Sequence, residues 1–263
     1  MSNSTIEKSL LNGVLTIVLN RPDVLNSFNY EMAEEVQNAF KEAEENHEIR
    51  CVLLTANGKA FCAGQDLKEV TEIAKDPDRE LSEVVHHTYN PIIKAIRTLE
   101  KPVICAVNGT AAGAGANIAL ACDMVLASED AKFIQSFSNI GLIPDSGGTY
   151  ILPRLIGLAR ATELTFTGRP VKAPEAVEMG MIYRSVPMEE LMNEATALCE
   201  KFAKMPTRGY GLTKKGFNKG FSNSLEQQLN LEADLQAEAG STEDYHEGVQ
   251  AFLEKRKPNF KGK

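Results

Sequence analysis

The chain has 263 residues, a formal net charge of −8, 43% hydrophobic residues and 24% charged residues. The length allows one large domain or one domain with an appendage, and the composition is that of an ordinary globular protein. The negative balance argues against a nucleic-acid partner. No apolar run reaches the roughly 18 residues of a membrane span, so no membrane partner is expected. The five cysteines (Cys51, Cys62, Cys105, Cys122, Cys199) have no CxxC spacing and sit mostly in apolar runs. They read as buried thiols of a reducing compartment, neither disulfides nor metal ligands. The first residues have no apolar core of a signal peptide, so the expected location is the cytoplasm.

In chain order, the weakly alternating Val14-Leu15-Thr16-Ile17-Val18-Leu19 predicts a strand ended by Asn20-Arg21-Pro22. Asn29 is placed to cap a helix running to about Asn46, with Met32, Val36, Ala39, Phe40 and Ala43 on one face. Cys51 to Thr55 is the next strand, and this early β-helix-β order favours an α/β architecture. Asp66 is placed to cap the helix after it, and the charged 68–80 segment with Asp76-Pro77 reads as a mobile surface stretch. Leu81 to Leu99 has helical spacing, with Pro91 as a candidate kink.

The stretch from Lys101 to Thr149 organises the chain. Val103 to Val107 is a short apolar run that reads as a buried strand, and an apolar helix follows from about Gly113 to Ala121. Beyond it, Tyr150 to Phe166 is mostly helical with interruptions near Pro153 and Gly157, Ala173 to Met179 is a short helix and Met181 to Val186 a strand. From Met188 onward the pattern is helical, broken at Met205-Pro206, Gly220–Asn223 and Gly240-Ser241, with Ser241 expected to cap the last helix. The composition shift near residue 200 divides the chain into an α/β core, 1–200, and a helical region, 201–263.

Two small-residue turns follow apolar strands: Ala63-Gly64-Gln65 and Gly113-Ala114-Gly115. They are either plain strand-to-helix turns or a pair of backbone N–H donors for a negative oxygen. No Gly-Lys-Ser/Thr follows, which excludes a phosphate-binding P-loop, and Gly113-x-Gly115 continues with Asn117-Ile118, which excludes a dinucleotide fingerprint. Asp145, between Pro144 and Ser146-Gly147-Gly148, is either a helix cap or a base whose affinity for protons is raised by burial. Phe137, Ile140, Leu142 and Ile143 are the apolar neighbours expected to bury it. His86 and His87 are adjacent and cannot share a helix face, so a packing role is expected for them, and Tyr89 is read as core or pocket wall.

Taken together these motifs resemble the crotonase (enoyl-CoA hydratase/isomerase) superfamily over essentially the whole chain. The resemblance is carried by Asn20-Arg21-Pro22 with Leu25-Asn26, by Phe61-Cys62-Ala63-Gly64-Gln65-Asp66-Leu67, and by Lys101-Pro102-Val103 through Asn108-Gly109. Ala112-Gly113-Ala114-Gly115, Cys122-Asp123, Ala131-Lys132-Phe133 and Gly141-Leu142-Ile143-Pro144 with Gly147-Gly148-Thr149 complete it. It implies an α/β spiral of repeated ββα units with a helical end that assembles trimers or pairs of trimers. It also implies an acyl-CoA substrate, with coenzyme A arriving as part of that substrate and no separate cofactor or metal. The thioester oxygen would be held by the N–H groups of Gln65 and Ala114. Ala63, Asp66, Leu67, Tyr89, Gly113, Phe137 and Leu142 would line the substrate site.

Departures from the family pattern narrow the expectation. The hydratases carry two glutamates where this chain has Asn117 and Phe137, neither of which can exchange a proton at neutral pH. The 4-chlorobenzoyl-CoA dehalogenases have a nucleophilic Asp at the place of Asp145, but their His base aligns with Asn90. Pro-Asp-x-Gly-Gly with Phe137 and Gln65, Tyr89-Asn90-Pro91 and the tail from Asp244 to Arg256 are most similar to the phenylacetate-pathway isomerases. The resemblance therefore implies an acyl-CoA isomerase in which Asp145 moves a proton, converting 1,2-epoxyphenylacetyl-CoA to an oxepin-CoA, a 3-enoyl-CoA to a 2-enoyl-CoA, or both; a hydratase using other residues, or a non-catalytic acyl-CoA binder, are the alternatives.

Overall fold

The computed structural model describes residues 4–66, 68, 69, 71 and 80–263. Among the described residues, ten strands form two sheets. The first has the order β1 (Ile6–Leu11), β2 (Val14–Leu19), β3 (Cys51–Ala56), β5 (Val103–Val107), β7 (Met124–Ser128), β10 (Arg184–Val186). It is parallel except for the β1–β2 hairpin. The second has the order β4 (Ala60–Cys62), β6 (Thr110–Ala112), β8 (Lys132–Ile134), β9 (Pro170–Lys172), parallel but for β9. From β3 to β8 each odd strand joins the first sheet and the even strand after it joins the second. Helices follow these pairs, so the repeated ββα arrangement is present.

The first sheet is apolar on both faces, as a parallel sheet covered on both sides must be. Val103, Cys105 and Val107 face the main core, while Ile104 and Ala106 face a second cluster closed by the helix Met188–Ala203. The same alternation runs through β3, with Val52 and Leu54 on one side and Cys51 and Leu53 on the other. All five cysteines are buried and unbridged. The first helix, α1 (Tyr30–Glu45), matches its sequence reading: Asn29 accepts from Met32 N at 3.0 Å, and Met32, Val36, Ala39, Phe40 and Ala43 are buried.

Several expectations are corrected. The division at residue 200 falls inside the helix Met188–Ala203, which packs on the first sheet, so the helical end begins at Thr207. Leu81–Val84 (α2) and Asn90–Thr98 (α3) are joined by one wider π turn, Val85–Tyr89; Pro91 sits at the start of α3 and is no kink. His86 and His87 are exposed on that turn and do not pack. Pro153 lies inside the helix Gly148–Ile156 without interrupting it, and only Gly157 breaks the run. Thr242 caps the last helix, accepting from Tyr245 N at 3.1 Å, because Ser241 still belongs to the end of the preceding helix. Of the charged 68–80 segment, residues 70 and 72–79 lie outside the described residues, as does Leu67.

The helical end comprises Thr207–Gly220, Leu225–Gly240 and Glu243–Leu253. One tie to the core is ionic, with Lys214 Nζ 2.8 Å from Asp123 Oδ2, which also accepts from Val103 N at 2.9 Å. Among the described residues no helix is long and apolar enough to cross a membrane.

Candidate active site

The two small-residue turns meet. At Gly64, φ is +97°, and a Cβ there would stand 3.2 Å from Ala112 O and 3.8 Å from Ala114 N, so a side chain would be strained and crowded. A Cβ on Gly115 would collide with Cys62 at 2.6 Å. These glycines bring β4 and the helix α4 (Ala114–Ala121) into backbone contact, which is why both turns are built of small residues.

That contact brings the backbone N–H groups of Gln65 and Ala114 to the border of one cavity. Phe28 N donates to Gly64 O at 2.7 Å and Asp66 N donates to Phe28 O at 2.8 Å. Both groups flanking Gln65 are thus turned toward Phe28, and alternation along an extended chain turns the Gln65 N–H the other way. Ala114 is the first residue of α4, and a first helical N–H has no acceptor within its own helix. Gln65 and Ala114 line the same cavity, of about 550 Å³.

Asp145 lines the same cavity. It is not a helix cap: the helix α5 (Gly148–Ile156) is capped at Gly147, with no side-chain cap. The Asp145 carboxylate instead accepts from Ser146 Oγ at 2.8 Å. Burial raises its pKa above the ordinary carboxylate value, against the opposing pull of the Ser146 hydroxyl. The apolar surroundings differ from those expected. Phe137 is buried and Leu142 and Ile140 line the cavity, but Ile143 is 78% exposed and does not. Leu81, Val84 and Val85 of the α2 segment supply the missing apolar wall.

Tyr89 is buried, and its hydroxyl donates to Gln65 Oε1. Burial, with the charges of Cys62, Asp145 and Glu69 nearby, holds the phenol well above its ordinary pKa, so it stays a donor. Asp66 lines the cavity mouth and pairs with Arg21 at 3.0 Å; its Oδ1 also accepts from Lys68 N at 3.1 Å, a local turn bond.

Of the residues expected at the site, Ala63, Gln65, Asp66, Tyr89, Gly113, Ala114, Phe137, Leu142 and Asp145 all line this cavity, and Leu67 lies outside the described residues. Pocket walls were expected from the 68–90 region as a whole; the structure identifies Leu81, Val84 and Val85 within it as the residues that line the cavity. Asn90 is absent from the cavity lining. Asn117 is buried and engaged: its Nδ2 donates to Asp145 O at 2.9 Å and its Oδ1 accepts from Gln135 Nε2 at 2.8 Å. Among the described residues no three His, Cys, Asp or Glu side chains are grouped to hold a metal ion.

Two backbone N–H groups and the half-buried Asp145 carboxylate line one largely apolar cavity, an arrangement suited to a carbonyl compound that must lose and regain a proton. The enoyl-CoA hydratase/isomerase family profile matches residues 10–263. A 1,2-epoxyphenylacetyl-CoA isomerase of Escherichia coli is 49% identical over 95% of this chain and 96% of its own. A trans-2-decenoyl-[acyl-carrier-protein] isomerase of Streptococcus mutans is 37% identical over 96% of each chain. The crystal structure of an enoyl-CoA hydratase from Bacillus anthracis superposes with a TM-score of 0.90 at 37% identity, covering 98% of this chain and 100% of that one. The chain belongs to the enoyl-CoA hydratase/isomerase, or crotonase, family.

Proposed function

We propose that the protein is an acyl-CoA isomerase in which Asp145 carries a proton between two carbons of one substrate. The observation that carries this reading is the half-buried Asp145 carboxylate in the same cavity as Gln65 and Ala114; Asp66, the other carboxylate among the described lining residues, is held in an ion pair with Arg21. With a 3-enoyl thioester, the Asp145 carboxylate removes a proton from C2. The electron pair passes to the thioester oxygen, where the two N–H groups hold the enolate. The same carboxyl then returns the proton to C4, the double bond moves to C2–C3, and no atom is gained or lost. Burial favours the protonated form that waits between the two transfers.

The E. coli relative's name supports a ring-1,2-epoxyphenylacetyl thioester as a further substrate. Tyr89, Phe137, Val84 and Leu81 form an apolar wall compatible with a ring. Hydration finds less support. Asn117 has both ends of its carboxamide hydrogen-bonded, and Phe137 brings only a ring to the cavity. A screen of turnover over epoxyphenylacetyl-CoA, a 3-enoyl-CoA and crotonyl-CoA tests the reading. Turnover of either of the first two is expected; binding of all three with turnover of none would make the protein a non-catalytic acyl-CoA binder.

The proposed setting is a reducing, cytoplasmic compartment and a homotrimer or pair of trimers built through the helical end. The support is the apolar surface left uncovered there: Phe217, Phe221, Leu225, Phe252 and Leu253 are each more than 60% exposed. Light scattering at micromolar concentration should give three or six chains; a monomer would contradict the assembly.

A further inference from the structure

We infer that Asn117 and Gln135 act as positioning residues that hold the backbone of Asp145, and with it the carboxylate, at the substrate. The inference rests on Asp145 being the proton-carrying group.

Neither residue lines the cavity. Both are buried, Asn117 at 1% exposure and Gln135 at 4%. They form a chain that ends on the Asp145 residue: Gln135 Nε2 donates to Asn117 Oδ1 at 2.8 Å, and Asn117 Nδ2 donates to Asp145 O at 2.9 Å. The same carbonyl accepts from Gly148 N at 2.8 Å, so two donors fix one oxygen. The turn they fix is one that the chain does not favour. Ser146 has φ of +49°, a left-handed conformation costly for a residue with a Cβ, and Gly147 follows at +74°. A Cβ on Gly148 would stand 2.3 Å from Asn117 Nδ2, so the carboxamide lies directly on the turn.

Each end of the Asn117 carboxamide thus has one partner, and their opposite polarity sets which way it faces. The cost of the chain is visible at its far end. Gln135 Oε1 is buried and finds no hydrogen-bond partner among the described residues. A buried acceptor left unpaired is unfavourable, and it is tolerated where the group's other end is needed. The chain links α4, which carries the Ala114 donor, to the Asp145 turn. Oxyanion donor and proton carrier are therefore held in one frame, and a displacement of either by about 1 Å costs on the order of 10² in rate.

The test uses the full chain and a 3-enoyl-CoA. Asn117→Ala removes the donor to Asp145 O, and Gln135→Met keeps a similar volume while removing the donor to Asn117. Asn117→Ala should lower kcat about 10- to 100-fold with KM within about threefold of wild type, measured well below the variant's own Tm. The acid limb of its pH profile should move, because the carboxylate sits in a changed position. Gln135→Met should lower kcat less, in the same direction. The double variant should have the kcat of Asn117→Ala alone, since Gln135 acts through Asn117, whereas two independent structural defects would multiply. If Asn117→Ala does not fold, Gln135→Met and its pH profile carry the test.

Wild-type kcat and pH profile in a folded Asn117→Ala, or multiplying losses in the double variant, would overturn the inference. Asp145→Asn run alongside separates the two claims. If it is inactive while Asn117→Ala is unimpaired, the positioning role fails and the proton carrier stands. If it retains full turnover, the proton carrier itself fails.

Discussion

Asp145→Asn should lower kcat by roughly 10²–10⁴ while leaving KM and binding of a CoA thioester nearly unchanged. The amide keeps the size of the carboxyl and can still accept from the Ser146 hydroxyl, but it cannot take up a proton. Stability should not fall with activity. The Asp145 pKa is raised in the folded chain, chiefly by burial, so this residue favours folding below its unfolded pKa and loses that advantage as pH rises through its folded value. At neutral pH the ionised side chain is a small cost, and replacing it with a neutral one leaves Tm equal or slightly higher. The same shift places the acid limb of wild-type kcat/KM above the usual carboxylate range. Near-wild-type turnover of the variant would remove Asp145 from the mechanism.

Ala114→Pro should lower kcat/KM by roughly 10²–10³, the usual loss for one oxyanion donor. Proline at this position deletes the N–H that faces the cavity and puts a ring carbon where the thioester oxygen belongs. The helix should survive. Ala114 is its first residue, where proline is tolerated, and Gly113 has ψ of −126°, far from the α region that proline disfavours in its predecessor. Circular dichroism and Tm close to wild type, with turnover lost, are the expected pair of results. Full turnover in a folded variant would mean that the oxygen is held elsewhere.

The long, strongly patterned elements were legible in the sequence. The Asn29 cap with its apolar stripe, and the apolar runs of β3 and β5, each carry their own signal. β1 was not legible because Ile6-Glu7-Lys8-Ser9-Leu10-Leu11 is an edge strand with one buried residue, and its sequence shows no alternation. The second sheet was missed for a different reason. Ala60–Cys62, Thr110–Ala112, Lys132–Ile134 and Pro170–Lys172 are three residues each, too short for a period to register.

At the site, the turns around Gly64 and Gly113 and the Asp145 loop could be read from local chemistry, because glycine and small residues mark close approach. The region 68–90 could be expected to supply pocket walls, but which of its residues do so, Leu81, Val84 and Val85 among them, could not be read from spacing. The hydrogen bond from Tyr89 to Gln65 and the chain from Gln135 through Asn117 to Asp145 join residues far apart in sequence. No spacing rule links such pairs; only the tertiary fold brings them together. The family pattern marked Asn117 as a lost glutamate, and the fold gives it a bonded place beneath the Asp145 turn.

The central claim is that the Asp145 carboxylate moves a proton within the substrate, while Asp66, also in the lining, stays paired with Arg21. Adding water to a 2-enoyl thioester needs a positioned water and a group to protonate the α carbon as well. The most direct measurement follows isomerisation of a 3-enoyl-CoA and hydration of crotonyl-CoA with one enzyme preparation at equal substrate concentration. Isomerisation should be at least about tenfold faster, roughly 1.4 kcal/mol in barrier. Hydration as fast as isomerisation would contradict the account, since it would require a second acid or base acting at the cavity.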